Sequence, residues 1–422
     1  MTGASPPRQG PRPLPLHLLN ARGAWLSSRA ALPLLRSGSL PLRLEFATEA
    51  AALRKSLAAA ALEPIAAALD RELRTRADAF LAGIERYRHH PYRREADEPP
   101  TLWQEGTTRL LDYGSADDPA LLVVPSLINR AYILDLTPET SLLRHLAGAR
   151  IRPLLVDWGA PGDVERGFGL TEYIAGRLEA ALEAASAAAG GPVGVMGYCM
   201  GGLLALALAA RRRRDVRALA LLATPWSFHA EHAGHARLLG ALALPLTLAC
   251  AALREVPVDI LQTLFTAADP LVAMRKFSRF SALPDGEAAR HFVAVEDWLN
   301  DGVPLALGVA RECLAGWYGA NEPGSGLWKI AGRPVRPQDV AQPALVVVPS
   351  HDKIVPPASA EAVVPDLPAG ERLAPSLGHI GMIVGRTAPA EVWRPLTRWL
   401  VRNLARRVSK RAGKANLKDI DP

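Results

Sequence analysis

The sequence predicts an α/β fold: a mostly parallel sheet with helices on both faces and a helical cap inserted into it. Three observations predict it. From about residue 106 to 404, short Leu-rich or β-branched runs alternate with amphipathic segments, the rhythm of strands buried between helical layers. One such run ends in Gly197-Tyr198-Cys199-Met200-Gly201-Gly202, directly before a helical segment. Between about 227 and 330 the alternation gives way to an Ala/Leu-rich stretch, long enough to be an inserted lid.

The elements follow in order. Residues 1–45 mix Pro, Arg, Gly and Ser without clear periodicity and are expected to be flexible. Residues 46–105 are read as a helical N-terminal segment. Ala, Leu, Glu and Arg dominate 48–84, and the helix is expected to stop at His90-Pro91, because proline disfavours helix in the residue before it. Within the main domain, 106–404, strands are expected at 120–127 (ALLVVPSL), 152–158 (RPLLVDW), 192–198, 216–223 (VRALALLA), 344–348 and 372–375. Helices are expected at 170–189, 200–211 and 388–404. Residues 405–422 form a basic tail.

Composition narrows the function classes. The 422 residues are 49% hydrophobic and 22% charged, ordinary globular usage, so a fibrous or largely disordered chain is excluded. Three cysteines cannot build a disulfide framework, which fits a reducing, cytoplasmic setting. The net charge of +7 sits at the two ends rather than over the middle. Without an evenly basic core interleaved with aromatics, no nucleic-acid-binding domain is expected. The basic tail is a solvated face or a contact for an anionic surface. Residues 238–253 are apolar but broken by Pro245 and fall short of the roughly 20 residues that span a bilayer, so no membrane span is expected.

The chemistry concentrates at Cys199. A nucleophile on a sharp strand-to-helix turn needs small residues two positions either side, and Gly197 and Gly201 supply them. The start of a helix offers its unpaired N–H groups to negative charge on the sulfur. The Met200 N–H is placed to donate to an oxyanion. A second donor is expected in the strand exit at 124–130, from the backbone of Leu127 or Ile128, with the choice open. A thiol nucleophile also needs a base and a residue to orient it. Asp352 closes the apolar run ALVVVPSHD, and His379 lies in the glycine-flanked Ser376-Leu377-Gly378-His379-Ile380-Gly381. The order Cys199, Asp352, His379 is the nucleophile–acid–base order of the α/β-hydrolase fold. His351 stands beside this set. The spacing of His229, His232 and His235 lacks the Cys or carboxylate company of a metal site, so no metal is expected. Cys250 and Cys313 lack glycine flanks and are expected to be buried.

The segments SLINRAYILDL (126–136), RPLLVDWGAPG (152–162), GYCMGG (197–202), ATPWSF (223–228), HDKIVPP (351–357) and LGHIGMIVG (377–385) together resemble the polyhydroxyalkanoate synthases, closest to the shorter, partner-dependent type. The resemblance runs through most of 105–400. It implies that Cys199 is the nucleophile, His379 the general base and Asp352 the third catalytic residue. It also implies an acyltransferase that moves 3-hydroxyacyl groups from coenzyme A thioesters onto a growing polyester, with no separate cofactor. Expected partners are hydroxyacyl-coenzyme A, the polyester chain, a granule surface, and either a second copy of the chain or a synthase partner subunit. Lys353 stands where the family usually has histidine. Two other readings use the same fold: a cysteine-dependent hydrolase, such as a polyester depolymerase or thioesterase, and a non-catalytic granule scaffold. The run at 238–253 is expected to form a cap that covers Cys199 and excludes water from the acyl-enzyme.

Overall fold

The computed structural model describes residues 7–405 apart from 43–45, 59, 96, 232 and 268. The basic tail expected from 405 onward therefore lies almost wholly outside the described residues, as does His232.

Eight strands form one sheet. In chain order they are β1 (Thr101–Glu105), β2 (Thr108–Asp112), β3 (Ala120–Val124), β4 (Arg152–Asp157), β5 (Val193–Tyr198), β6 (Val216–Leu222), β7 (Ala344–Val347) and β8 (Gly370–Leu373). Their order across the sheet is β1-β2-β4-β3-β5-β6-β7-β8. All pairings from β4 through β8 are parallel, and only β1 and β2 run antiparallel to their neighbours. Along β3, Leu121 and Val123 point into one hydrophobic layer, and Ala120, Leu122 and Val124 into the other. The first layer is closed by Leu142 and Leu146 of one helix (Leu142–Gly148) and by Leu396, Trp399 and Leu400 of the C-terminal helix (Arg394–Leu404). The second is closed by Leu178, Leu182 and the almost entirely buried helix Met200–Arg211. Burial on both faces explains why these strands read as continuous apolar runs rather than as alternating ones.

Two boundary expectations are corrected. The hairpin β1–β2 joins the main sheet, so the domain begins near residue 101 rather than 106. It was missed because β1 is an exposed edge strand, TLWQE, with little apolar signal. Residues 14–37, expected to be flexible, form a helix (Leu14–Ser37). Pro13 and Pro15 fall at its cap and first turn, where proline is tolerated, so proline density there opens the helix instead of preventing it. Ahead of it, Arg8 ties the chain down with a two-pronged ion pair to Asp297 at 2.6 and 2.7 Å. The helical segment expected before His90-Pro91 is two helices, Ala47–Ala58 and Leu62–His89.

The insertion lies between β6 and β7. Two of its helices, Val272–Ser281 and Glu287–Asn300, pack Phe277, Phe280, Ala289 and Val293 against Phe80, Ile84 and Tyr87 of Leu62–His89. The insertion also reaches the loop after β3. Val303 N–H donates to the Ile128 carbonyl at 3.1 Å, and the Trp298 indole N–H donates to the Arg130 carbonyl at 2.8 Å. The run expected to cover Cys199 turns outward instead. Leu238, Leu244 and Leu248 are 63, 67 and 67% exposed, because the helices Ala233–Ala241 and Ala243–Ala249 rest on the fold through small residues such as Ala236 and Ala243. No described helix is long and apolar enough to cross a membrane.

Candidate active site

Four chain segments meet at the carboxyl ends of the parallel strands, where ligands bind in open α/β sheets. Cys199 follows β5, the 125–130 loop follows β3, Asp352 follows β7 and His379 follows β8.

Cys199 has φ 55° and ψ −128°, a left-handed conformation that costs an ordinary residue about 1–3 kcal/mol and is held by its surroundings. Its N–H donates to the Leu222 carbonyl at 2.9 Å, and its own carbonyl accepts from Gly202 N–H at 2.9 Å. A Cβ on Gly197 would sit 2.4 Å from the Gly202 Cα, and one on Gly201 would sit 2.1 Å from the Val124 carbonyl oxygen and 2.6 Å from that of Pro125. A Cβ on Gly202 would lie 1.8 Å from Thr224 Oγ1. Gly201 is thus the point where the nucleophile's helix touches the 125–130 loop. Gly201→Ala is expected to lower stability by about 1–3 kcal/mol, because both opposing atoms are backbone and cannot swing away. The urea unfolding midpoint measures it; an unchanged midpoint would contradict this packing.

Asp352 and His379 form a buried pair. His379 Nδ1 and Asp352 Oδ2 are 2.6 Å apart, with the residues 7 and 5% exposed. Asp352 Oδ1 accepts the N–H groups of Ile354 at 2.8 Å and Val355 at 2.9 Å, so the carboxylate is locked before it meets the imidazole. The two loops are laced together by Ser350 N–H to the Pro375 carbonyl and His351 N–H to the Leu377 carbonyl, each 3.0 Å. Cys199 is close enough to act electrostatically on the imidazole. Burial disfavours the imidazolium, but Cys199 and the Asp352 bond outweigh it, and the His379 pKa is pushed up to about 10. The structure therefore brings all three sequence-predicted residues together. His351 is exposed and contributes backbone alone.

Of the two candidate oxyanion donors, Ile128 donates its N–H to Ser126 Oγ at 3.2 Å. The Met200 N–H, at the first position of its helix, lies outside the intrahelical ladder. Two further residues surround the site. The Tyr198 hydroxyl donates to the His379 carbonyl at 3.1 Å, and its ring lies 5.2 Å from the imidazole. Tyr318, from the insertion, stands close enough to Cys199 that burial and that sulfur push its hydroxyl pKa up. Tyr198 was visible inside the elbow motif but carried no signal of its own; Tyr318 had none. Among the other histidines, His229 Nε2 lies 2.8 Å from the Tyr318 carbonyl oxygen, and no cluster of three metal-ligating side chains exists among the described residues. Cys250 is buried and Cys313 is half-buried.

This sheet and this nucleophile turn define a class, and the chain belongs to it: the α/β hydrolase fold family, whose sequence profile matches residues 119–385. Within that class it is similar to poly(3-hydroxyalkanoate) polymerase subunit PhaC of Haloferax mediterranei, 27% identical over 312 residues, covering 71% of this chain and 62% of that one. The same-named subunit of Haloarcula marismortui is 26% identical over 293 residues, 67% of this chain and 61% of that one. That of Allochromatium vinosum is 28% identical over 287 residues, 66% of this chain and 80% of that one. The chain thus spans about three fifths of the length of the first two relatives. The resemblance to polyhydroxyalkanoate synthases carried by the short motifs extends over most of the chain.

Proposed function

We propose that the chain is an acyltransferase of the polyhydroxyalkanoate synthase type, using Cys199, His379 and Asp352 on 3-hydroxyacyl-coenzyme A. The observation that carries the reading is a cysteine, not a serine, at the elbow, beside a histidine that pairs with a buried aspartate at 2.6 Å. Attack by the Cys199 sulfur on the thioester carbonyl forms a tetrahedral intermediate whose oxygen faces the Met200 and Leu127 N–H groups. Collapse breaks the carbon–sulfur bond to coenzyme A, whose thiolate takes the proton held by His379. His379 then removes the proton from an incoming hydroxyl, which attacks the acyl-cysteine, forms the ester and returns the sulfur. Exchange between two thioesters is nearly balanced, so the acyl group loads and unloads easily; a serine ester would be a deeper resting point.

The test is purified chain with 3-hydroxybutyryl-coenzyme A, followed for free thiol and for insoluble polymer, with and without a candidate second subunit. Coenzyme A release with polymer is the expected result. Release with free 3-hydroxybutyrate and no polymer would make it a hydrolase, and absence of any acyl-cysteine would leave a scaffold.

A further inference from the structure

We propose that a basic cleft beside the triad binds the phosphorylated nucleotide end of the coenzyme A thioester; the proposal rests on the acyltransferase reading above. The cleft has a volume of about 400 Å³. Helix Val272–Ser281 supplies Arg275, Lys276 and Arg279 to it, and the loop after β7 supplies Lys353. Two of these four cations are already matched. Arg275 pairs with Asp269, which also lines the cleft, and Lys276 Nζ lies 2.7 Å from Oε1 of the buried Glu296. Arg279 and Lys353 are exposed and take part in no ion pair or side-chain hydrogen bond among the described residues. Two unmatched cations facing one cleft favour a multiply charged anion, and guanidinium in particular fits phosphate oxygens. The half-buried Phe292, backed by the buried Phe280 with ring centroids 4.2 Å apart, adds apolar surface beside the charges.

Position supports the assignment. Lys353 directly follows Asp352, whose carboxylate holds His379, so the cleft and the triad share one loop. On the other side, Glu296 sits two residues before Trp298, which bonds the loop carrying Leu127. A thioester with a long neutral arm needs separate places for its reacting carbonyl and its phosphates, and the loop carrying Asp352 and Lys353 touches both.

The experiment compares coenzyme A, 3′-dephospho-coenzyme A, pantetheine and inorganic pyrophosphate as ligands of the full chain by calorimetry, alongside KM for the coenzyme A and pantetheine thioesters of 3-hydroxybutyrate. The native chain is expected to prefer coenzyme A over pantetheine, less so at high salt. Arg279→Ala and Lys353→Ala should each weaken coenzyme A binding about tenfold, and the double variant should erase the preference, while Arg279→Lys keeps most of it. Thermal unfolding of each variant shows that the fold is retained. Coenzyme A affinity that is indifferent to the double variant, in a chain that still acylates Cys199, overturns the cleft alone. Pyrophosphate competing as well as coenzyme A overturns the nucleotide assignment. A native chain that neither binds coenzyme A nor becomes acylated overturns the acyltransferase reading and the cleft with it.

Discussion

Cys199→Ala is expected to abolish coenzyme A release, by about 10⁴-fold or more, with the fold intact. The sulfur is the only group at the elbow that can accept the acyl chain, and every later step needs that thioester. The change removes one atom at the N-terminal end of a buried helix and leaves the strained turn in place, since alanine meets the same left-handed cost. Mass spectrometry of the native chain after incubation with a hydroxyacyl-coenzyme A should find the adduct on Cys199. A label on buried Cys250 or half-buried Cys313 would refute the elbow assignment. Cys199→Ser should keep little polymerisation and gain slow hydrolysis, because an unactivated hydroxyl is the weaker nucleophile.

His379→Gln is expected to cost more activity than Asp352→Asn: about 10⁴-fold against about 10²–10⁴-fold. In the proposed reaction His379 carries the proton, whereas Asp352 orients the imidazole and stabilises its charge. In stability, Asp352→Ala should lose more than His379→Gln. Asp352 satisfies the N–H groups of Ile354 and Val355 as well as the imidazole, so Asp352→Ala orphans two backbone donors, whereas His379→Gln orphans none of the main chain. A pH signature accompanies this pair. The His379 pKa is raised from an ordinary value near 6.5 to about 10, so the protonated form is favoured by folding. Its stabilising contribution is full below about pH 6.5 and fades as pH climbs toward 10. The difference in Tm between the native chain and His379→Gln should therefore shrink over that window. A difference that grows with pH would mean that the imidazole is stored neutral.

Much of this was legible in local sequence. A strand buried on both faces must be apolar throughout, so the runs at 120, 152, 193, 216 and 344 announced themselves, and the alternation with helices announced a parallel sheet. The helix Met200–Arg211 was read to the residue, because two glycines open it and a run of arginines follows its last buried turn. Cys199, Asp352 and His379 were legible for a related reason: each sits in a short motif at the end of a strand, and chain order assigned the roles.

What the tertiary structure decided is what no short window contains. That the Ile128 N–H meets the Ser126 side chain depends on how the loop after β3 turns back on itself. Which part of the insertion meets the site depends on long-range contacts. The apolar run at 238–253 faces outward, and Trp298, Val303 and Tyr318 approach the site instead. The helix Leu14–Ser37 was hidden by its prolines, and the edge strand Thr101–Glu105 by its exposure. Arg279 and Lys353 share a cleft because a helix of the insertion packs beside the loop after β7. Periodicity and turn chemistry act over a few residues and are written in neighbouring letters. Side-chain meetings across the sheet depend on strand order and on how an inserted layer settles, and only the folded chain determines those.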